Sequence, residues 1–266
     1  MVEAELINKI EFLHNFEFDK SQLPYTEYEI AFKEAIEGVR NFPRQIVKSQ
    51  DLEPIRCRKI SSIKEVENIS QLWYPRNNND WKLGRLNDTT SPILYTSDNA
   101  RTACFEVKPN KGQLVAFLNF SINTPDIFCT RFLDSDVSIF STNNNDKIIY
   151  EFLIKEFKKQ VPENQYYLYF PTIILAKRLS PTEANCIVYE SVATKFNGIN
   201  YAFKPAFIND KWIFKSARLC EVLEVDEVSE NYTIRCLKIA NSETFGVINW
   251  EDSPPCNGHE LSNHHN

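Results

Sequence analysis

The 266-residue chain is 42% hydrophobic and 13% aromatic, enough to fill a core, which excludes disorder over most of its length. Its net charge of −6 comes with Lys and Arg scattered rather than gathered in a stripe, so direct contact with nucleic acid is not expected. No apolar run approaches the roughly 18 residues that span a bilayer, and the acidic start Met1-Val2-Glu3-Ala4-Glu5 lacks the basic segment of a secretion signal. A cytoplasmic protein without membrane contact is the expectation.

Residues 1–50 read as helical. Leu6, Ile7, Ile10, Leu13 and His14 recur at helical spacing, and Tyr28, Phe32, Ala35, Ile36 and Val39 form a second stripe bracketed by Pro24 and Pro43. A packed N-terminal extension accounts for both; a partner-binding face is the alternative. Ile55 to Ile60 alternates as a half-buried strand does. Residues 74–91, with Pro75, Asn77 to Asn79, Asp80 and Asp88, read as a long loop of the kind that often carries function. Pro92 to Tyr95 is a short strand, Asp98 is the expected N-cap of a helix through Ala100, Ala103, Cys104 and Val107, and Leu114 to Ile122 is a buried strand. Helices follow over 146–159 and 169–179, the second ended by Ser180-Pro181, with strands over 186–189, 218–225 and 232–239. The polar, proline-containing end from Ser253 is expected to be disordered. Helices and strands mix without a βαβ rhythm, so the fold class is α+β, divided as a helical extension (1–50), a main domain (51–250) and a disordered tail (251–266).

Several chemistries fall away. The seven cysteines are widely spaced, odd in number and never arranged as CxxC, so they read as reduced apolar fillers and not as disulfides or metal ligands. Three of the four histidines lie in the last eight residues, and the fourth is His14, which leaves a histidine-centred triad nothing to draw on. Six dispersed glycines form neither GxGxxG nor a P-loop.

Four polar residues stand out by position. Arg85 lies in the loop, Tyr95 ends an apolar strand, Glu106 lies on the following helix, and Ser191 ends the strand Val188-Tyr189-Glu190. Singly, each has an ordinary reading: a surface charge, a half-buried aromatic, a solvated helix residue, a strand-end hydroxyl. Together they sit in a wider pattern. Gly84-Arg85-Leu86-Asn87, Pro92 to Ser97 and Thr102 to Val107, followed by Cys186 to Val192 and Gly198 to Phe203, resemble the two halves of a RES domain. The resemblance covers about 85–240 and leaves residues 1–50 and the asparagine loop without a counterpart. It implies a fold similar to the ADP-ribosyltransferases, a split β core flanked by helices. It also implies a toxin of a toxin–antitoxin pair that consumes NAD⁺ or ADP-ribosylates a protein, held by a small helical antitoxin whose tail enters the cleft. Arg56 matches an arginine at the start of the family's domain, with Arg58 a competitor for that role.

The chemistry suits this histidine-poor chain. The nicotinamide–ribose bond breaks through an oxocarbenium-like transition state, and nicotinamide leaves without needing a proton. The site must grip the pyrophosphate, face the nicotinamide ring, and set a negative group beside the ribose. Arg85 can supply the first by bidentate hydrogen bonds, Tyr95 the second by stacking, and Glu106 the third. Ser191 and Arg56 can add contacts to NAD⁺. No metal and no cofactor is required, NAD⁺ being the substrate. The reading is a glycohydrolase or phosphorylase acting as a toxin; a protein ADP-ribosyltransferase and an inactive nucleotide-sensing or interaction module stay open, as does a homo-oligomer.

Overall fold

The computed structural model describes residues 3–19, 25–37, 42–74, 83–140, 144–162, 164–179, 184–195, 197–226, 231–255 and 257–261. Pro24, Val39, Pro75, the asparagines 77–79, Asp80, Ser180, Pro181, Cys256, His264 and His265 lie outside them. In chain order the first elements are α1 (Glu3–Asn15), α2 (Thr26–Glu37), β1 (Arg44–Lys48), β2 (Ile55–Ile60) and α3 (Ile69–Leu72). Next come β3 (Leu94–Ser97), α4 (Ala100–Val107), β4 (Leu114–Ile122), β5 (Asp126–Phe132), α5 (Asn144–Lys158) and α6 (Phe170–Arg178). The chain continues through β6 (Cys186–Glu190), β7 (Ile199–Phe203), α7 (Pro205–Ile208), β8 (Trp212–Asp226) and β9 (Asn231–Ala240). It ends on the short strands β10 (Glu243–Thr244), β11 (Val247–Ile248), β12 (Glu251–Asp252) and β13 (His259–Glu260). The class is α+β with helices at the N-terminus. No described helix is long and apolar enough to cross a membrane.

Contacts divide the chain into two units, each assembled from three segments. The first unit comprises residues 1–46, 77–92 and 128–190. Its core is helical: Leu6 and Leu13 of α1, Tyr28 and Phe32 of α2, and Ile149, Leu153 and Phe157 of α5 are all buried. The rings of Phe32 and Phe152 lie 6.3 Å apart, and Tyr25 meets Phe170 edge-on at 5.0 Å. Burial of each such side chain stabilises by about 1.5–3 kcal/mol, so the first two helices are packed elements of this unit. In the same unit β5 and β6 pair in parallel, Cys129 opposite Cys186 through Phe132 opposite Tyr189.

The second unit comprises residues 47–76, 93–127 and 191–266. Its antiparallel strands run in the order β7-β3-β2-β4-β8-β9. Ile55 and Cys57 of β2, Val115 and Phe117 of β4, and Cys220 and Val222 of β8 form one apolar layer with Ala103 and Cys104 of α4. α4 is started by Asn99, whose side chain accepts from the Thr102 amide at 2.7 Å. Asp98, the expected cap, still belongs to the strand region: its amide donates to Ile199 O at 3.0 Å. The helix stops at Lys108, which takes a left-handed conformation (φ 47°) and returns its amide to Cys104 O.

Three further expectations change. Residues 44–48 form a strand and not the end of a helical segment, their spacing having been too short to show a period. β5 and β7 are strands that periodicity did not mark; β7 lies inside a quoted motif and pairs with β3 along its length. The tail expected to be disordered from 251 adds β12 and β13 to β9 and buries Leu261, because the outer edge of β9 offers unpaired main-chain groups. Residues 262–266 lie outside the described ones.

Candidate active site

Glu106 sits one residue before the end of α4, exposed to solvent but held by one of its oxygens. Oε1 accepts from Ser191 Oγ at 2.6 Å and from Asn200 Nδ2 at 2.6 Å. Oε2 takes no hydrogen bond from any described residue. Both donors are neutral, so these contacts fix the carboxylate without cancelling its charge.

The donors are themselves held. Asn200 is buried on β7 opposite Ser97 of β3, and Ser97 Oγ donates to Asn200 Oδ1 at 2.8 Å, which turns the amide NH₂ toward Glu106. Ser191 follows β6 and is fully buried. Its amide donates to Gly198 O at 2.8 Å, closing the 191–198 loop, and its Oγ accepts from the Thr194 amide at 3.3 Å. That loop lies tight against α4: a Cβ on Gly198 would stand 2.1 Å from Thr102 Oγ1. Only glycine lets the chain approach the helix this closely. The four side chains Ser97, Glu106, Ser191 and Asn200 therefore form one network within the second unit.

Ser191, expected to contact NAD⁺, is fully buried, and its hydroxyl donates to Glu106 Oε1. Asn200 was not singled out in the sequence, although the quoted motif contains it. The available signal was an amide side chain inside the apolar run Ile199 to Phe203, where a buried polar group needs a specific partner.

Tyr95 is half-buried on β3, opposite Ala202. Its main-chain oxygen accepts from Arg56 Nη1 at 2.8 Å, and Arg56 Nε donates to Leu72 O at 2.7 Å. Burial, followed by the nearby charge of Arg58, lowers the Arg56 pKa to about 10, so the side chain remains a cation at neutral pH. Arg58 is exposed and reaches Gln71 O. Of the two competing arginines, Arg56 is therefore the one attached to the strand of Tyr95.

Arg85 belongs to the first unit. Its Nη1 donates to Phe157 O at 2.6 Å and its Nη2 to Lys159 O at 3.1 Å, so its fork caps the C-terminal end of α5. The guanidinium also lies over the rings of Tyr169 (4.8 Å) and Tyr189 (5.8 Å). Thr172 Oγ1 donates to its carbonyl oxygen. Within the units, the structure brings Glu106 and Ser191 together and links Arg56 to Tyr95, while Arg85 is engaged with α5. A separate cleft of about 390 Å³ in the first unit, lined by Leu83, Phe170, Ile173 and Ile174 with the ion-paired Asp88 and Lys177, contains none of these residues.

No protein-family model matches the chain, and no curated protein matches it. Among solved structures, a chain of the crystal structure of the M. tuberculosis MbcT–MbcA toxin–antitoxin complex aligns over 70% of this chain and 90% of its own length, at 9% identity. The TM-score is 0.38.

Proposed function

We propose that the chain breaks the nicotinamide–ribose bond of NAD⁺, with Glu106 facing the reacting ribose. The observation that carries this reading is the tethered, unneutralised carboxylate: Oε1 is held twice and Oε2 has no described protein partner. As the bond to nicotinamide breaks, positive charge develops on the anomeric carbon and ring oxygen. A fixed carboxylate stabilises that charge without first having to reorganise, and the loss of one such contact is typically worth about 10²–10³ in rate. The bonding electrons leave with nicotinamide, which departs neutral, and water or phosphate adds to the opposite side of the carbon and gives up a proton. In this reading Tyr95 stacks on the nicotinamide ring. Arg56, a cation of the same unit linked to the strand of Tyr95, is assigned to the pyrophosphate; its Nε and Nη1 donate to Leu72 O and Tyr95 O. Arg85 could take that part only by releasing the two carbonyls of the 157–159 turn.

The reading also carries the motif resemblance to the RES domain, and with it a toxin role checked by a cognate antitoxin protein. The test is incubation of the purified chain with NAD⁺ followed by chromatography. Free nicotinamide with ADP-ribose or ribose-phosphorylated product supports cleavage. Label transferred to protein selects the ADP-ribosyltransferase instead. NAD⁺ recovered intact, from protein shown to be folded, refutes the proposal. Co-expression with the genomic neighbour, read by growth and cellular NAD⁺, tests the antitoxin.

A further inference from the structure

β8 and β9 set Cys220 and Cys236 directly opposite each other, beside a register shift at Leu219/Cys220. Opposed Cα atoms of an antiparallel pair stand roughly 4.5–5.5 Å apart, inside the roughly 4.4–6.8 Å that disulfides span. Directly opposed side chains also leave the same face of the sheet. Cys220 is buried, whereas Cys236 is partly exposed. We propose that Cys236 is a peroxide-sensitive thiol and that Cys220 resolves it, so that oxidation closes a reversible cross-strand disulfide.

The two thiols are unequal in the way such a pair requires. A hydrogen bond from Cys220 draws the Cys236 thiol down to about 6, burial opposing this and Ser253 and Arg218 assisting. The same bond, with burial, pushes Cys220 far up. As a thiol Cys236 points its hydrogen at Lys238 O, 3.4 Å away; as a thiolate it accepts from Cys220 and Ser253. At neutral pH Cys236 is therefore the nucleophile. Cys57 and Cys104, in the same apolar layer, are buried, and burial raises the Cys57 thiol.

The steps balance. The Cys236 thiolate attacks one oxygen of hydrogen peroxide, the O–O bond breaks, sulfur is oxidised to sulfenic acid, and hydroxide leaves. Oxidation at Cys236 removes the main cause that holds the proton on Cys220. The Cys220 sulfur then attacks the Cys236 sulfur; the S–S bond forms, the S–O bond breaks, and the hydroxide takes the Cys220 proton as water. Two thiols and one peroxide give a disulfide and two waters. None of this depends on the reading of Glu106.

The experiment treats the reduced full-length chain with hydrogen peroxide, blocks free thiols, and maps non-reduced peptides by mass spectrometry. The expected product is a Cys220–Cys236 link that dithiothreitol reverses. Cys220→Ser should instead accumulate a sulfenic acid at position 236 that dimedone traps, and Cys236→Ser should show neither product. Both thiols still alkylated after peroxide would overturn the proposal. So would a bond from Cys236 to any other cysteine, or dimedone capture elsewhere in Cys236→Ser.

Discussion

Ser191→Ala removes one of the two hydrogen bonds that hold Glu106 Oε1 and leaves a methyl group at a fully buried position, with almost no change in volume. A hydrogen bond to a charged group is worth about 1.5–3 kcal/mol. At 1.36 kcal/mol per tenfold, its loss should lower kcat about 10- to 150-fold if the bond acts by placing the carboxylate. Asn200→Ala should fall in the same range, since its bond is of the same length. The distinguishing measurement is a double-mutant cycle with Glu106→Ala, read as nicotinamide release with folding checked by thermal denaturation. Residues that act only through Glu106 have nothing left to position once it is gone, so Ser191→Ala should cost nothing further on that background. Full additivity of the two losses would refute the positioning role and would mean that Ser191 acts elsewhere.

Tyr95→Phe should keep most of the NAD⁺ turnover and Tyr95→Ala little of it, because stacking needs the ring and not the hydroxyl; equal losses in steady-state assays would contradict this. Gly198→Ala should destabilise by about 1–3 kcal/mol through collision with Thr102, and Thr102→Ala should recover part of it; a denaturant midpoint that does not move would show that the loop has room. Burial raises the Glu156 carboxyl, with the Lys159 charge opposing. The folded state therefore holds its proton more tightly than the unfolded chain, and this group's contribution to stability falls as pH rises from the ordinary carboxylate range toward the raised value. Glu156→Gln should flatten that stretch of the Tm–pH curve, and parallel curves would falsify the assignment.

Much of the secondary structure was legible because each element presents one apolar face. The strand read at 55–60 is the strand observed, and the helix read over 146–159 runs over Asn144–Lys158. β5 was missed because its buried positions do not alternate cleanly, and β1 because all five residues are exposed or partly so. The site was legible as types and order but not as contacts. Glu106 reaches partners 85 and 94 positions away, and no spacing rule connects them. Nor could sequence order show that the fork of Arg85 donates to the carbonyls of Phe157 and Lys159. Local pattern says that a cation is present, and only the fold says what it holds.

The second unit gathers residues from 47 to beyond 250, and this order matters during translation. A nascent chain that has emerged as far as α4 carries Glu106 with neither of its donors. It gains Ser191 and Asn200 only 85 and 94 residues later, and the layer beneath α4 still waits for β8 and β9. A ribosome-bound or prematurely ended chain lacking those strands thus carries the carboxylate without its support. The proposed activity would begin only in chains that have emerged past β9.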